Sequence, residues 1–471
     1  MFIDRNRELA ALEREYARDQ ASFVVVYGRR RVGKTALISR FIADKPAIYY
    51  LATEESEPQN RAVFQSLVAD YLHDDLLRDA LLPRWEPVFT AIARSAAEAR
   101  SNGRRLVIVL DEFQYLGLAN PEFPSVFQRI WDTILAKTNV MVILCGSLVS
   151  MMESQVLSYD SPLYGRRTAQ IQLAPIPFRH YGEFFPGLGM RELVERYAVT
   201  GGIPKYIELF DDSGDIFEAI ESNVLNRSGV LYDEPMFLLR GEVPEVGTYF
   251  SMIKVIAAGN RKAGQIAAAL QVPVTAVPGK LRTLHNLGIV EREVPVTERN
   301  PEKSKRGLYR IVDTYIDFWF RFVQPNLSYI ESGHPQVAMA RIRRNFVDNH
   351  VSYVYEGVCR ERLWSMGAEG RLPFTPERVG RWWGAGDVEI DAVALSDADR
   401  AIVFGECKFW KEPVGANVLR VLEERAGAVD WHRGERKETF ALFSVSGFTD
   451  ELKSIAAARP DVVLVDDSVP A

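Results

Sequence analysis

Cysteine is scarce in this sequence. Cys145, Cys359 and Cys407 are the three cysteines in 471 residues, and they are widely spaced. They provide neither the framework of a disulfide-rich secreted fold nor the closely spaced ligands of a structural zinc site, so both classes are excluded. Long apolar runs are also lacking, because no stretch approaches the roughly 20 residues of a membrane-spanning helix. The N-terminal segment is charged and has a helical period, unlike a signal peptide.

These absences predict a cytoplasmic protein that does not enter the membrane. Positive charge is not in surplus either, since 57 Lys and Arg stand against 63 Asp and Glu, a formal net charge of −6. That balance argues against a protein that coats nucleic acid, although residues 303–306 and 341–344 form local basic patches. With 47% apolar and 25% charged residues, the chain has an ordinary globular composition but is too long for one core. Two to four domains are predicted.

A phosphate-binding motif lies near the N-terminus. Residues 23–27 form a buried-strand pattern, the next residues fit G-x-x-x-x-G-K-[ST], and a helical stretch follows. The glycines let backbone N–H groups surround phosphate oxygens, and the helix N-terminus adds the positive end of its dipole. We predict ATP binding by nine consecutive residues: Gly28, Arg29, Arg30, Arg31, Val32, Gly33, Lys34, Thr35 and Ala36.

Within this motif and the strands that follow it, individual side chains have predicted roles. Lys34 is expected to reach the β- and γ-phosphates, and the Thr35 hydroxyl to bind Mg²⁺. Five apolar residues precede Asp111 and Glu112. We predict that Asp111 holds the Mg²⁺ and its waters and that Glu112 orients or deprotonates the attacking water. The alternative is an ordinary acidic turn at a strand end. A third strand ends at Ser147, which can sense the γ-phosphate.

An arginine pair follows these strands. Arg166 or Arg167 can serve as an arginine finger, in cis or from a neighbouring subunit, which would make the protein a homo-oligomer. An equally good alternative is a surface pair that binds a carboxylate.

Five segments together resemble the archaeal and bacterial ATPase family of the AAA+/STAND-like P-loop superfamily. They are "DRNRELAALE", "YGRRRVGKTAL", "LVIVLDEFQYL", "SPLYGRRT" and "TGGIPKY". The resemblance covers residues 1–235. It implies an ATPase with a helical lid, and it places Arg5 and Leu9 near the adenine base.

The middle of the chain predicts three helices and a β-hairpin over residues 245–325, which make a winged helix. Gly288 is expected to end the third helix, and Pro278 to lie in its first turn. Six basic side chains of this module are predicted to face a DNA or RNA major groove or to bind phosphates. The alternative is that the module only packs domains together. An aromatic segment follows, 315–322, and it is expected to be buried core rather than a platform for bases. The basic side chains concerned are Lys280, Arg282, His285, Lys303, Lys305 and Arg306.

The C-terminal segment has two acids and a lysine on predicted neighbouring strands. Asp391 lies on one strand, and Glu406 and Lys408 lie on the next. Strand alternation puts Glu406 and Lys408 on one face and turns Cys407 away from it. Two carboxylates so placed can hold a Mg²⁺ ion beside a phosphodiester, and Lys408 can activate water. Glu356, on a preceding helix, can add a further acid.

This pattern resembles the PD-(D/E)xK restriction-endonuclease-like superfamily. The resemblance implies a nuclease with Asp391, Glu406 and Lys408 as catalytic residues and with Asp391 and Glu406 as metal ligands. The alternatives are an unrelated Glu/Lys pair on an edge strand and a nuclease-like fold that no longer cuts.

We therefore predict an α/β protein with three parts. These are a P-loop ATPase with a helical lid over 1–235, a winged helix over 245–325 and a nuclease-like domain over 340–471. The predicted function is ATP binding and hydrolysis that control a metal-dependent DNA nuclease, in defence or repair. The alternative is a nucleotide-dependent DNA-binding switch whose nuclease-like domain does not cut. ATP and Mg²⁺ are the predicted cofactors, and DNA is the predicted partner of the winged helix and the nuclease-like domain.

Overall fold

The computed structural model describes residues 2–101, 105–210, 214–386 and 388–468. The chain divides into two compact units. The first consists of Met1–Ile176, Ile203–Lys205 and Leu238–Pro244; the second consists of Pro177–Gly202, Tyr206–Phe237 and Glu245–Ala471.

The first unit is built on a parallel sheet of five strands in the order β2-β3-β4-β1-β5. The central strands β1, β3 and β4 are buried along their whole length, which explains their unbroken apolar sequences. This confirms the predicted α/β class and the P-loop core. The strands are β1 Ser22–Tyr27, β2 Ala47–Leu51, β3 Val107–Asp111, β4 Met141–Gly146 and β5 Ala169–Gln172. The helices are α1 Asn6–Tyr16, α2 Lys34–Ile42, α3 Glu57–Leu72, α4 Asp75–Asp79, α5 Glu86–Ser101, α6 Gln114–Ala119, α7 Phe123–Thr133 and α8 Val149–Met152.

The strand order matters for function. Because β4 lies between β1 and β3, the carboxyl ends of these three strands lie side by side. In an open parallel sheet this edge is where ligands bind. The residues that follow these strands are those of the P-loop, the Asp111–Glu112 pair and Ser147.

A buried arginine joins the end of α1 to the sheet. The Arg105 guanidinium is 7% exposed and donates hydrogen bonds of 2.5–3.2 Å to five backbone carbonyls. One buried side chain thus ties the carbonyls that follow α1 to the Val140 carbonyl at the start of β4, and without it several of these acceptors would lose a donor. They belong to Glu15, Tyr16, Arg18, Gln20 and Val140.

We expect Arg105→Met to destabilise the first unit by about 1–3 kcal/mol, the usual cost of leaving buried hydrogen-bond acceptors without a donor. Methionine fills a similar volume but donates no hydrogen bond. Urea unfolding followed by tryptophan fluorescence should show an earlier first transition. Arg40→Met, at an exposed position of α2, is the control and should unfold like the wild type. Equal midpoints for Arg105→Met and wild type would contradict this role.

The second unit contains a two-stranded antiparallel sheet, β6-β7, and a five-stranded sheet in the order β12-β11-β10-β9-β8. In the larger sheet β8, β9 and β10 are antiparallel, whereas β10, β11 and β12 are parallel. The strands are β6 Val290–Glu293, β7 Leu308–Ile311, β8 Arg378–Trp383, β9 Glu389–Ser396, β10 Ala401–Lys408, β11 Lys437–Ser444 and β12 Val462–Asp466.

Thirteen helices are described from Met190 onward, of which α10 and α12 contain residues of both units. They are α9 Met190–Thr200, α10 Pro204–Ile207, α11 Ile216–Ile220, α12 Glu234–Glu242, α13 Val246–Ala257, α14 Ala263–Leu270, α15 Val277–Asn286, α16 Thr314–Phe318, α17 Leu327–Glu331, α18 Pro335–Phe346, α19 Ser352–Ala368, α20 Ala416–Ala426 and α21 Asp450–Ala458.

Local signals in the middle segment match the structure. Pro278 lies in the first turn of α15, and Gly288 follows the helix end with a φ of +68°. The aromatic segment is core, as predicted, because Tyr315, Phe318 and Trp319 are each less than 3% exposed. Helices α13–α15 are followed directly by the β6-β7 pair.

Two features of the C-terminal segment had no counterpart among the predictions. A π-helical turn over Val347–Val351 joins α18, which ends at Phe346, to α19, which begins at Ser352. An edge strand, β8, precedes the strand of Asp391. Arginines and tryptophans interrupt the apolar alternation there, so the strand has no clear period in sequence. The finer domain limits at 235, 245–325 and 340 stay predictions.

Candidate functional site

The P-loop runs from the end of β1 to the start of α2. Gly28 has a φ of +151°, and a Cβ there would lie 2.4 Å from the Leu173 carbonyl oxygen, so a larger residue does not fit. Gly33 has a φ of +95° and precedes the first helical residue, Lys34. The backbone can therefore curl around an anion before it enters the helix.

Lys34 is the first residue of α2, and it is only 6% exposed because its side chain folds back over the loop. Its Nζ donates to the carbonyl oxygens of Gly28 at 2.8 Å and Arg29 at 3.0 Å. Burial lowers the pKa of its ammonium group. Phosphate oxygens would compete with these carbonyls for the ammonium, as the predicted role requires.

Thr35 and Asp111 face each other across the predicted Mg²⁺ position. The Thr35 hydroxyl lies 3.5 Å from Asp111 Oδ2, and Asp111 is buried. Asp111 Oδ1 accepts the backbone N–H of Glu112 at 2.9 Å, and the Tyr49 hydroxyl donates to Oδ2. A hydroxyl and a carboxylate are hard oxygen donors of the kind Mg²⁺ prefers, so these residues fit the ion.

Glu112 is held by the neighbouring strand end. Its Oε2 accepts the Ser147 hydroxyl at 2.7 Å and the Ser147 N–H at 3.2 Å, and it also accepts the Gln114 side-chain amide. Glu112 itself has a φ of +51°, an uncommon conformation for a residue with a side chain. The carboxylate is thereby fixed beside the end of β4, between the P-loop strand and β3.

The other loop residues are placed around this centre. Arg30 donates to the Tyr115 hydroxyl at 3.0 Å, and Arg31 has a φ of +71°. The Val32 carbonyl accepts Arg5 at 3.1 Å. Ala36 lies exposed in the first turn of α2, next to Thr35.

A second group of predicted residues gathers in the second unit. Regular pairing of β9 with β10 ends at Ala392 and Gly405. Beyond that point the Asp391 carboxylate accepts the Cys407 N–H at 3.1 Å, in place of a backbone acceptor. Burial, and after it the Glu406 carboxylate, raise the pKa of Asp391.

Two cationic side chains bind the Glu406 carboxylate. Lys408 Nζ donates to its Oε1 at 2.6 Å, and Arg425 of α20 contacts both oxygens at 3.1–3.2 Å. Glu406 is 4% exposed. The Lys408 contact agrees with the expected shared face. Arg425 lies on a later helix, and no local pattern predicts its contact with Glu406.

Cys407 is buried, as strand alternation predicted, and its thiol contacts that of Cys359 on α19. Glu356, one turn earlier on α19, is mostly buried, with a side chain that is 13% exposed. Desolvation and the Asp391 charge raise the pKa of Glu356 to about 7. Arg360 joins the two acids, since its Nη1 lies 3.5 Å from Glu356 and donates to the Asp391 carbonyl oxygen at 2.7 Å.

A metal site in this second group is not evident. Within the described ranges of the chain, no group of three or more His, Cys, Asp or Glu side chains is arranged to hold a metal ion. A cation at Asp391 and Glu406 would have to displace Lys408 and Arg425 from Glu406. The present geometry does not fit the predicted Mg²⁺ pair.

Comparison with known proteins decides the family. Residues 2–210 match a family of ATPase domains found predominantly in Archaea. An uncharacterized protein of Methanocaldococcus jannaschii is 35% identical over 427 residues, which cover 90% of this chain and 91% of that protein. The chain belongs to the archaeal P-loop ATPase family. The resemblance of residues 1–235 to this ATPase family is confirmed, whereas the nuclease-like resemblance stays a prediction.

Other matches of this ATPase agree with its fold. The Walker-type ATPase of Pyrococcus abyssi matches with a TM-score of 0.50 and 19% identity, over 68% of this chain and 96% of that chain. This likeness shows the fold alone. Residues 319–423 match archaeal and bacterial proteins of unknown function. Among the described helices of the ATPase, none is long and apolar enough to cross a membrane.

Three polar residues of the ATPase site were missed from the sequence. Tyr49 and Gln114 bind the two acids directly. Glu242 accepts the N–H groups of Val149 and Ser150 at 2.9 and 3.1 Å, at the helix that follows Ser147. Tyr49 lies on β2, whose pairing with β3 brings it to Asp111, and a single sequence carries no signal of that pairing.

The arginine predictions of the ATPase have mixed outcomes. Arg166 forms a two-pronged ion pair with Asp132 of α7 at 2.9–3.1 Å, which matches the carboxylate alternative within this chain. Arg167 lies over the Tyr164 ring at 5.4 Å. Arg5 supports the loop backbone through Val32. The arginine finger and the adenine contact stay predictions.

Proposed function

We propose that the chain binds ATP at the P-loop and hydrolyses it with Glu112 as the residue that positions water. The observation that carries this proposal is the Ser147–Glu112 pair, which holds a carboxylate beside the P-loop strand. Lys34 would bind the β- and γ-phosphates, and Ser147 would sense the γ-phosphate through its contact with Glu112. Mg²⁺ held by Thr35 and Asp111 would neutralise phosphate charge.

A steady-state assay of phosphate release tests this proposal. The wild type should hydrolyse ATP with Mg²⁺ and should lose activity when EDTA removes the ion. Hydrolysis that persists in EDTA, or no hydrolysis with any divalent cation and nucleic acid, would contradict the proposal.

We further propose that ATP turnover controls the action of the second unit on DNA. Helices α13–α15 with the β6-β7 pair have the element order of a winged helix. Asp391, Glu406 and Lys408 meet at one end of β9 and β10. This juxtaposition supports a nuclease-like domain. Its test is DNA cleavage by the wild type, with Mg²⁺ or Mn²⁺, in the presence and absence of ATP.

A second candidate function is a nucleotide-dependent DNA-binding switch that does not cut. The Arg425–Glu406 ion pair favours it, because it occupies a carboxylate that a nuclease would need. Arg425→Ala separates the two candidates. If Arg425 only restrains an active site, the variant should cut DNA at least as fast as the wild type. If the domain has lost cleavage, neither protein should cut.

The loop between β6 and β7 gives a separate prediction for DNA binding. Lys303, Lys305 and Arg306 are exposed there. If they bind phosphates, replacing all three with alanine should weaken binding at every sequence and lower the salt slope by about one unit per lost contact. Fluorescence anisotropy against salt concentration measures both quantities. Lys453→Ala, exposed on α21, is the control, and an unchanged slope in the triple variant would leave the module a domain connector.

A further inference from the structure

A cavity of about 270 Å³ in the second unit is lined by five arginines. It lies among the end of α13, strand β7, the turn after α16, helix α19 and strand β8. Only two of the residues that line it are acidic, Asp317 and Glu356. The arginines are Arg261, Arg310, Arg321, Arg360 and Arg381.

Three of these arginines have close carboxylate partners. Arg321 binds Asp317 at 2.9 Å. Arg310 binds Glu291 and Glu293 at 2.6–2.7 Å. The third, Arg381, binds Glu389 at 2.8 Å through Nη2.

The remaining contacts are loose. Arg261 reaches Glu293 at only 3.7 Å, and so does Arg381 Nη1. Arg381 Nε lies 3.8 Å from Glu356 and has no hydrogen-bond partner among the described residues, although Arg381 is 9% exposed. A buried guanidinium N–H without a partner is costly, so an acceptor in the cavity would stabilise it.

The carboxylates around the cavity do not use all the donors of its arginines. Five guanidinium groups face five carboxylates, those of Asp317, Glu291, Glu293, Glu389 and Glu356. The Glu356 contacts are long, 3.5 Å to Arg360 and 3.8 Å to Arg381.

The cavity adjoins the strand that bears Asp391. Arg360, which lines the cavity, donates to the Asp391 carbonyl oxygen at 2.7 Å. Glu356 lines it too, and its pKa responds to the Asp391 charge. A group bound in the cavity therefore lies next to the predicted catalytic end of β9.

We propose that this arginine-lined cavity is a binding site for a phosphate group, and that the group is a phosphodiester of a nucleic-acid strand held beside Asp391. Guanidinium forks match the geometry of phosphate oxygens and bind them through charge-assisted hydrogen bonds. A phosphate oxygen can accept the N–H groups that the carboxylates leave without a close partner, Arg381 Nε among them. The choice of nucleic acid rests on the proposed function, whereas the phosphate chemistry rests on the cavity alone.

Arg261 is the residue to test, because its carboxylate contact is the loosest and its side chain is 33% exposed. The full chain with Lys34→Ala is used, so that the P-loop does not capture phosphate. Arg261→Gln should weaken binding of a short single-stranded DNA about tenfold and lower the salt slope by about one unit. Arg261→Lys should keep the salt slope, and Lys453→Gln, exposed on α21 outside the cavity, should bind as before.

A second variant tests the same cavity by a different change. Thermal melting of each protein shows whether it is folded. Ala257→Glu, at the cavity wall, puts a carboxylate beside the arginines and should also weaken binding. Unchanged affinity and slope in both Arg261→Gln and Ala257→Glu would overturn the proposal.

Two further measurements identify the source of the phosphate. If Arg261→Gln weakens the binding of 5′-hydroxyl and 5′-phosphorylated DNA equally, the bound group is an internal phosphodiester. A loss confined to the 5′-phosphorylated DNA overturns that source in favour of a terminal phosphate. If the wild type binds no DNA, inorganic phosphate is followed by ³¹P line broadening. Broadening that Arg261→Gln removes would support the phosphate site and refute the proposed DNA function, whereas no broadening would refute both.

Discussion

Lys34→Ala should reduce ATP hydrolysis by on the order of 10²–10³-fold, the usual effect of removing one group that stabilises transition-state charge. The Nζ is buried in the loop, where it contacts two carbonyls that phosphate oxygens would replace. Alanine keeps the helix but removes the cation, so ATP binding should weaken as well. Turnover is measured as phosphate release, and binding with a fluorescent ATP analogue.

Glu112→Gln should separate binding from chemistry. Glutamine can still accept from Ser147, so the loop geometry should persist, but it cannot take a proton from water. ATP should bind with near wild-type affinity while hydrolysis slows by a similar factor to Lys34→Ala. Arg40→Ala, exposed on the same helix as Lys34, is the control. Wild-type hydrolysis in both Lys34→Ala and Glu112→Gln would end the assignment.

Asp391→Ala should abolish DNA cleavage and leave ATP hydrolysis intact, because the two groups of residues belong to different units. Its carboxylate accepts the Cys407 N–H at the end of the β9-β10 pairing, next to Glu406 in the chain. Lys408→Ala should have the same effect, since Lys408 is the predicted activator of water. A gel assay of labelled DNA measures cleavage on the same samples as the ATPase assay.

The control for this experiment is Glu424→Ala, an exposed acid on α20. It should leave both activities unchanged. Cleavage that survives Asp391→Ala would refute the catalytic role of Asp391. Absence of cleavage in every form, including Arg425→Ala, would make the non-cutting DNA switch the better account of the second unit.

Local sequence determined the P-loop and much of its surroundings. The glycine spacing, the buried strand before it and the helix after it are short-range features, and each is fixed within about ten residues. Asp111 and Glu112 are predictable in the same way, because they follow directly on a run of five apolar residues. Strand alternation likewise predicted that Cys407 is buried and that Lys408 lies with Glu406.

Only the tertiary structure decided which of these pieces meet. The sequence does not say that β4 inserts between β1 and β3, yet that order brings Ser147 to Glu112. Tyr49 reaches Asp111 through strand pairing, and Arg425 reaches Glu406 from a later helix.

The arginine-lined cavity has the same origin. Its guanidinium groups come from five elements spread over more than a hundred residues, from Arg261 to Arg381. Pairing between distant segments depends on how the whole core packs, and no periodicity within one segment encodes it. Short-range patterns therefore specified the chemistry that each segment can offer, whereas packing specified which groups share a site.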